Sequence, residues 1–347
     1  REIDVAGLVV APGFIDLHTH TDRKIFDNPL GDSKVMQGVT TDVTSNCGIG
    51  PFPACTARFA ELESYLGTLS GSLPDGGVCW NDFDGFAAVV EKANPGINLA
   101  MLAAQGALRI AAVGWDDRPP TQAELTEMQQ LLDESLRQGA WGMSSGLVYP
   151  PGSFAKADEL TALAKVLASH RTLYASHIRG ESGTLMDSVE EAIELGRQSG
   201  SRVQISHLKA IGKPYWGQGL AALGRIESAR AAGVDVWADQ YPYEASATAL
   251  AALVPLALMA SGWTVRGWYE AKQIAEAHHA VEKHDSKVAA ALETKLAELK
   301  ANERIIEREK LKIVDRPVYR NVCLDSDGVR IANQAKNGTA KSASEVQ

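Results

Sequence analysis

Short apolar runs alternate with helical patterns along most of the chain, which is typical of repeated β-α units around a parallel sheet. Eight of these apolar runs predict strands. The predicted strands cover residues 8–18, 39–45, 97–104, 142–146, 173–177, 203–207, 234–240 and 319–325.

The segments between the predicted strands have the features of helices. Segment 121–138 begins with Thr121 and has Glu124 three residues later, which predicts a capping box. Segments 157–170 and 185–199 have apolar residues every three or four positions, as in a helix that buries one face. Eight strand-helix units predict an α/β fold, a (β/α)₈ TIM-like barrel, whose active site lies at the C-terminal ends of the strands.

The composition changes beyond residue 263. Residues 282–312 are rich in Ala, Leu, Glu and Lys, with opposite charges three residues apart, and predict a long amphipathic helix. This helix is either a lid or interface element or a solvated connection. We therefore expect a hydrolase-type barrel over 1–331, in which 264–318 is a divergent, largely helical insertion or lid. A polar, disordered tail is expected over 332–347.

Composition and charge narrow the class of partner. The 347 residues carry a formal net charge of −9, which argues against binding to nucleic acid or to an anionic membrane. The longest apolar stretch, 245–263, is interrupted by Pro255 and Gly262, so it predicts a buried helix. No signal-peptide pattern opens the sequence, and the four cysteines have no CxxC spacing. We expect a cytoplasmic protein that acts on a small molecule, of undetermined oligomeric state.

Ligand-type residues stand where predicted strands end. The first strand ends in His18 and His20, whose side chains lie on the same side of an extended chain. A divalent metal would satisfy both imidazoles, although two ordinary histidines are an equally simple interpretation. The second strand leads into Cys47 and a glycine-rich turn, and a thiolate there is a good zinc ligand. A single cysteine is, however, more often a small buried apolar residue.

Two neighbouring strands end in the same pair of residues, Ser-His, which places His177 and His207 on the same rim. The eighth predicted strand ends near Asp325 and Asp327. We prefer Asp327, because Gly328 allows the turn that would direct its carboxylate inward. Such a carboxylate can bind a metal and transfer a proton, whereas the alternative is a plain Asp-Gly turn.

Several sequence segments resemble the amidohydrolase superfamily, and within it the D-aminoacylases (N-acyl-D-amino-acid deacylases). The resemblance extends from residue 5 to about residue 263. The cysteine after the second strand is its most specific feature, because most of the superfamily uses a carboxylated lysine elsewhere. The matching segments are PGFIDLHTHTD (12–22), GVTTDVTSNCG (38–48), GMSSGLVYPPG (142–152), SHIR (176–179), SHLK (206–209) and YPY (241–243).

The resemblance implies a role for each matching residue. The tight zinc site would comprise Cys47, His177 and His207, while His18 and His20 would flank a second, weaker metal site. Asp327 would lie between metal and substrate, both as a metal ligand and as the catalytic acid-base group. The residues expected to hold the substrate or polarise its carbonyl are Tyr149, Arg179, Lys209 and Tyr241, with Arg109 a further candidate for the substrate's carboxylate.

The implied activity is zinc-dependent hydrolysis of the amide bond of an N-acyl-D-amino acid. The alternatives are a cyclic-amide hydrolase of the hydantoinase or dihydropyrimidinase type, and a truncated barrel without catalytic activity. The chain departs from the family at Gln105, where histidine is usual, and at Ala247, where serine is common. The family also has a small flanking β domain, and we expect this chain to lack most of it.

Overall fold

The structure is a computed structural model that describes residues 5, 7, 9–67, 80–243, 245, 246 and 248. The chain divides into one unit of Gly13–Ala271 and a second of Arg1–Pro12 with Lys272–Gln347; the helices and strands given below lie in the first. The predicted eighth strand, the helix over 282–312, the insertion over 264–318, the tail over 332–347 and both Asp325 and Asp327 lie outside the described residues. So does Ala247.

The described strands are β1 (Phe14–Asp16), β2 (Val39–Thr44), β3 (Asn98–Met101), β4 (Ala103–Ala104), β5 (Gly142–Gly146), β6 (Leu173–His177), β7 (Arg202–Ile205) and β8 (Val236–Ala238). All of their pairings are parallel and join strands that are consecutive in the sequence. One sheet has the order β1-β2-β3 and the other the order β4-β5-β6-β7-β8. Only Leu102 separates β3 from β4, so together they are the third predicted strand.

Helices follow the strands, as predicted for an α/β fold. They are α1 (Thr21–Asp27), α2 (Asp32–Val35), α3 (Phe59–Leu66), α4 (Phe83–Lys92), α5 (Gln105–Ala112), α6 (Gln122–Gln138), α7 (Ala157–Ser169), α8 (Leu185–Ser199) and α9 (Gln218–Ala231). The predicted capping box of α6 is confirmed: Glu124 N donates to Thr121 Oγ1 at 3.3 Å, and Thr121 N donates to the Glu124 carboxylate at 2.6 Å.

The apolar core fills the space between the sheet and these helices. Met143 and Tyr174 contribute to it from β5 and β6, and Leu132, Leu163 and Val189 from the helices α6, α7 and α8. Helices α5 to α9 pack side by side in sequence order. This packing is expected when each helix returns the chain to the start of the next parallel strand.

The sheet curls, so that its first and last described strands approach each other. His18 follows β1 and Asp239 follows β8, and His18 Nδ1 lies 3.6 Å from Asp239 Oδ2. The fold is thus the parallel α/β structure that the sequence predicts, and it is consistent with a TIM-like barrel core. Among the described residues, no helix has the length and apolar composition needed to cross a membrane.

The first strand is shorter than the predicted 8–18, because β1 covers only Phe14–Asp16. Its C-terminal end at Asp16 has a local cause. There His18 N donates to Asp16 Oδ1 at 3.2 Å, so the aspartate side chain competes for the backbone and turns it. The turn brings His18 to the rim of the sheet.

Candidate metal centre

Three ligand-type side chains meet at the C-terminal ends of β2, β6 and β7. His207 Nε2 lies 3.5 Å from Cys47 Sγ and 3.1 Å from His177 Nδ1. The three ligand atoms all lie within 4.8 Å of one another, and the residues are only 4%, 8% and 8% exposed. A tetrahedral zinc ion places its nitrogen and sulfur ligands about 3.3–3.6 Å apart. The spacing therefore suits one shared ion.

A second set of ligand-type side chains adjoins the first and shares its thiol. It consists of His18, His20 and Cys47, again with the ligand atoms within 4.8 Å of one another. His18 Nε2 lies 3.4 Å from Cys47 Sγ, and the His18 ring centroid lies 4.9 Å from that of His207. Cys47 thus stands between two groups of imidazoles, where a thiolate could serve two neighbouring ions.

The backbone adopts left-handed conformations at two of these ligands. Cys47 has φ of 56° and His207 has φ of 39°, and Ser45, just before the thiol, has φ of 62°. Residues with side chains rarely occupy this region, so such conformations persist only where the surroundings enforce them, often at functional sites.

A buried carboxylate supports the turn that carries the thiol. Asp22 accepts hydrogen bonds from Thr44 Oγ1, at 2.6 Å, and from Ser45 Oγ. Asn46 Nδ2 donates to Val43 O at 3.0 Å. Asp22 is only 3% exposed, and burial raises its pKa to about 6 despite these bonds. It lies in the first matching segment, but sequence reasoning assigned it no role.

Two glycines allow the β2 and β5 ends to approach closely. A Cβ atom on Gly146 would lie 2.0 Å from Cys47 O, and one on Gly48 would lie 2.5 Å from Gly146 N. Both distances are far inside van der Waals contact. Backbone therefore packs directly on backbone beneath the thiol, and no larger residue fits at either position.

Burial favours the neutral forms of two of the imidazoles and of the thiol. Burial, together with neighbouring histidines, lowers the pKa of His177 to about 3 and that of His20 to about 4. Burial, with the carboxylates of Glu181 and Asp239, raises the pKa of the Cys47 thiol. Neutral imidazoles are the form that binds metals. A cation placed among these groups would offset the desolvation of the thiolate and favour it over the thiol.

Two carboxylates stand behind the histidines, and sequence reasoning missed both. Asp239 accepts from His207 N at 2.6 Å as well as lying beside His18. Glu181 lies 2.9 Å from His207 Nδ1 and 2.6 Å from Lys209 Nζ, while its other oxygen lies 3.7 Å from His177 Nε2. Burial opposes ionisation of Glu181, but the bond from His207 and the nearby histidines and lysine outweigh it and lower the pKa.

The two carboxylates differ in how far the sequence could have predicted them. Asp239 falls at the end of the predicted strand 234–240, so the rule that found the histidines could have found it too. Glu181 belongs to the loop after β6, where no periodic pattern points to the rim. Only the folded loop shows that it faces the ligands.

Three of the predicted substrate residues lie at the centre. The Tyr149 and His177 ring centroids are 5.0 Å apart, and Tyr149 OH lies 3.4 Å from Thr248 Oγ1. Lys209 Nζ lies 5.7 Å from the Tyr241 ring centroid. Tyr149 and Lys209 thus contact the metal ligands His177 and His207, and Tyr241 lies beside Lys209.

The two predicted arginines are occupied by protein groups. Arg179 donates to the Glu191 carboxylate at 2.9 and 3.0 Å, and to the carbonyls of Ser153 and Ala155. Its guanidinium ties the loop after β5 to α8, so we do not assign it to the substrate.

Arg109 is completely buried. It pairs with Glu159, and Gln105 Nε2 donates to the same carboxylate at 3.0 Å. A substrate carboxylate cannot reach it without breaking this pair. Gln105, the departure from the family pattern, thus belongs to a buried network under the helices.

The sequence of this chain is similar to those of known proteins. Residues 1–287 match the sequence model of the amidohydrolase family. An N-acyl-D-glutamate deacylase from Alcaligenes xylosoxydans xylosoxydans is 39% identical over 264 residues, covering 72% of this chain and 50% of that protein. The chain thus spans about half the length of the curated relatives it matches.

Solved structures give the same result. The N-acyl-D-glutamate deacylase from Bordetella bronchiseptica, crystallised with zinc and a phosphonate inhibitor, is 38% identical with a TM-score of 0.60, over 68% of this chain and 48% of that one. A D-aminoacylase described as having a binuclear metal centre is 35% identical with a TM-score of 0.60, over 67% and 48%. Metal is therefore present in homologues of this fold.

The close backbone contact beneath Cys47 predicts the effect of one added methyl group. We expect Gly146→Ala to lower the free energy of unfolding by about 1–3 kcal/mol or more, the cost of overpacking, because its Cβ has no space beside Cys47 O. Gly224→Ala, in the open middle of α9, should instead raise it by about 0.5–1 kcal/mol. Urea denaturation of both variants measures the difference, and equal stabilities would contradict the close backbone contact between Gly146 and Cys47.

The buried imidazole of His177 predicts a pH dependence of stability. Its pKa is about 3 in the folded protein against 6.5 unfolded, so only unfolding lets it take a proton as the pH falls below 6.5. Between pH 7.5 and pH 5, the free energy of unfolding of the metal-free wild type should therefore fall by about 2 kcal/mol more than that of His177→Gln. Denaturation curves across this range test it; parallel pH profiles for the two proteins would contradict a buried neutral histidine.

Proposed function

This chain belongs to the amidohydrolase family, and from that premise we propose that it hydrolyses the amide bond of N-acyl-D-amino acids with the help of zinc. The observation that carries the proposal is the meeting of Cys47, His177 and His207 at the C-terminal rim of the sheet. The relatives named for this activity, with their zinc-containing structure, support the same reaction class.

The donor set favours zinc over other common divalent ions. Zinc accepts thiolate and imidazole together, whereas calcium and magnesium prefer oxygen ligands. The buried His177 and His207 and the free thiol of Cys47 would hold one ion, and His18 and His20 would hold a second, weaker one beside Cys47. When bound, zinc polarises a carbonyl oxygen and lowers the pKa of water to about 7.

The chain's own residues would hold the substrate beside that ion. The Lys209 ammonium has three N–H donors: two reach Glu181 and His207 O, and the third can pair with the α-carboxylate of the amino acid through a charge-assisted hydrogen bond. Tyr149, which lies against the His177 ring, can donate its hydroxyl proton to the carbonyl oxygen as negative charge develops there. Tyr241 lies next to Lys209 and would close the same side of the site.

Asp327 completes the proposal as the group that moves the proton. It would accept a proton from the attacking water and pass it to the nitrogen of the departing amino acid. The products are then a free D-amino acid and a carboxylate. This residue enters through the family resemblance, because it lies outside the described residues.

Removing the thiol should remove the metal. Losing a group that is hydrogen-bonded to a metal ligand weakens metal binding by ~10–100-fold. Because Cys47→Ala loses a ligand itself, we expect its zinc affinity to fall by more than that. Cys55→Ala is the matched control, since Cys55 is the other described cysteine and is also unpaired. Zinc titration against a chelator measures both. Full zinc affinity in Cys47→Ala would contradict the ligand assignment.

Hydrolysis itself is tested with a substrate panel on the zinc-loaded protein. We expect turnover of the N-acetyl derivatives of D-glutamate, D-aspartate and D-methionine, and little turnover of the L isomers. Asp327→Asn should lower turnover at least ~10²-fold while still binding zinc. The control variant Asp325→Asn should keep both its turnover and its zinc.

Three outcomes of that panel would contradict the proposal. Turnover of cyclic amides alone would make the protein a hydantoinase-type hydrolase. Zinc binding without hydrolysis of any compound would indicate a barrel that has lost catalysis. Unchanged turnover in Asp327→Asn would remove that residue from the reaction.

A further inference from the structure

One nitrogen of His207 has two competing neighbours. His207 Nδ1 lies 2.9 Å from Glu181 Oε1 and also 2.9 Å from Lys209 Nζ. A carboxylate can only accept a hydrogen bond, and an ammonium can only donate one. Nδ1 can therefore carry a proton for Glu181 or offer a lone pair to Lys209, but it cannot do both.

The choice decides what the opposite nitrogen can do. A neutral imidazole carries a single N–H. If Nδ1 donates to Glu181, then His207 Nε2 has a free lone pair directed at Cys47 Sγ and His177 Nδ1. If Nδ1 accepts from Lys209 instead, the proton sits on Nε2, and that nitrogen cannot bind a metal.

The position of Glu181 favours the first arrangement. Its carboxylate oxygen also lies 2.6 Å from Lys209 Nζ, and the ammonium has a further acceptor in His207 O at 3.1 Å. Lys209 can thus satisfy its donors without using the imidazole. The other oxygen of Glu181 lies 3.7 Å from His177 Nε2, the nitrogen that faces away from the centre. One buried carboxylate therefore stands behind both histidines.

We propose that Glu181 is a positioning residue that keeps the proton of His207 on Nδ1 and diverts Lys209 from that nitrogen. The inference rests on the proposed function only in taking His207 Nε2 as a metal ligand. Carboxylates behind ligating histidines are a general means of fixing the tautomer, and their loss costs about 10–100-fold in metal affinity. Here the carboxylate has a second task, because a lysine competes for the same nitrogen.

The first measurement uses the full chain without metal and reads the tautomer directly. Long-range ¹H–¹⁵N NMR spectra at pH 8 distinguish a proton on Nδ1 from one on Nε2. We expect Nδ1–H for His207 in the wild type and a shift towards Nε2–H in Glu181→Gln, in which Lys209 has lost its carboxylate partner. Nε2–H in the wild type would overturn the inference, whether or not any variant folds.

The second measurement is zinc affinity in a double-mutant cycle. Glu181→Gln should weaken zinc binding by about 10–100-fold. Lys209→Met removes the competing donor, so it should raise zinc affinity in the Glu181→Gln protein. The factor by which it raises affinity there should exceed, by at least about twofold, the factor by which it changes affinity in the wild type. A general effect of losing a nearby positive charge would instead be equal in both backgrounds, and that equality would contradict the inference.

The two measurements separate this inference from the proposed function. If none of the proteins binds zinc but the NMR spectra show the expected tautomers, the proposed function fails and the role of Glu181 stands. If the wild type binds zinc tightly and Glu181→Gln binds it equally well, the zinc site stands and the role of Glu181 fails.

Discussion

The rest of this structure depends on the close approach of a thiol and two imidazoles in a buried site. Cys47, His177 and His207 are almost completely buried, and their ligand atoms lie within 4.8 Å of one another. Burying polar atoms without partners is costly, and a shared cation is the partner that satisfies all three. Cys47 and His207 are 160 residues apart in the chain, and they meet because the strands that precede them end on the same rim.

The surrounding structure holds these ligands in conformations they would not adopt alone. Cys47 and His207 both have left-handed backbones, which cost free energy unless neighbouring contacts enforce them. Asp22 holds the chain just before the thiol, and the glycines beneath it let two strand ends pack backbone to backbone. On the far side of the imidazoles, Glu181 and Asp239 provide acceptors. The side chains of the ligands are thus supported from below and from behind by neighbouring buried groups.

Much of this arrangement could be predicted from the sequence, because parallel strands have strong signals and end on one rim. Strands β5 and β6 have the predicted bounds, and His177 lies at the centre as that rule requires. Loops were less predictable. A substrate contact was expected for Arg179 from the family resemblance, but its guanidinium pairs with Glu191 on the next helix. Glu181 was missed since no pattern marks a loop residue that folds back on a strand end. The roles of the ligands stay predictions.

The most direct test of the shared metal site is X-ray absorption at the zinc edge of the purified, zinc-loaded protein. A single ion held by Cys47, His177 and His207 predicts one sulfur neighbour at about 2.3 Å and nitrogen or oxygen neighbours at about 2.0–2.1 Å, with imidazole scattering. A zinc shell of nitrogen and oxygen alone, without sulfur, would contradict it.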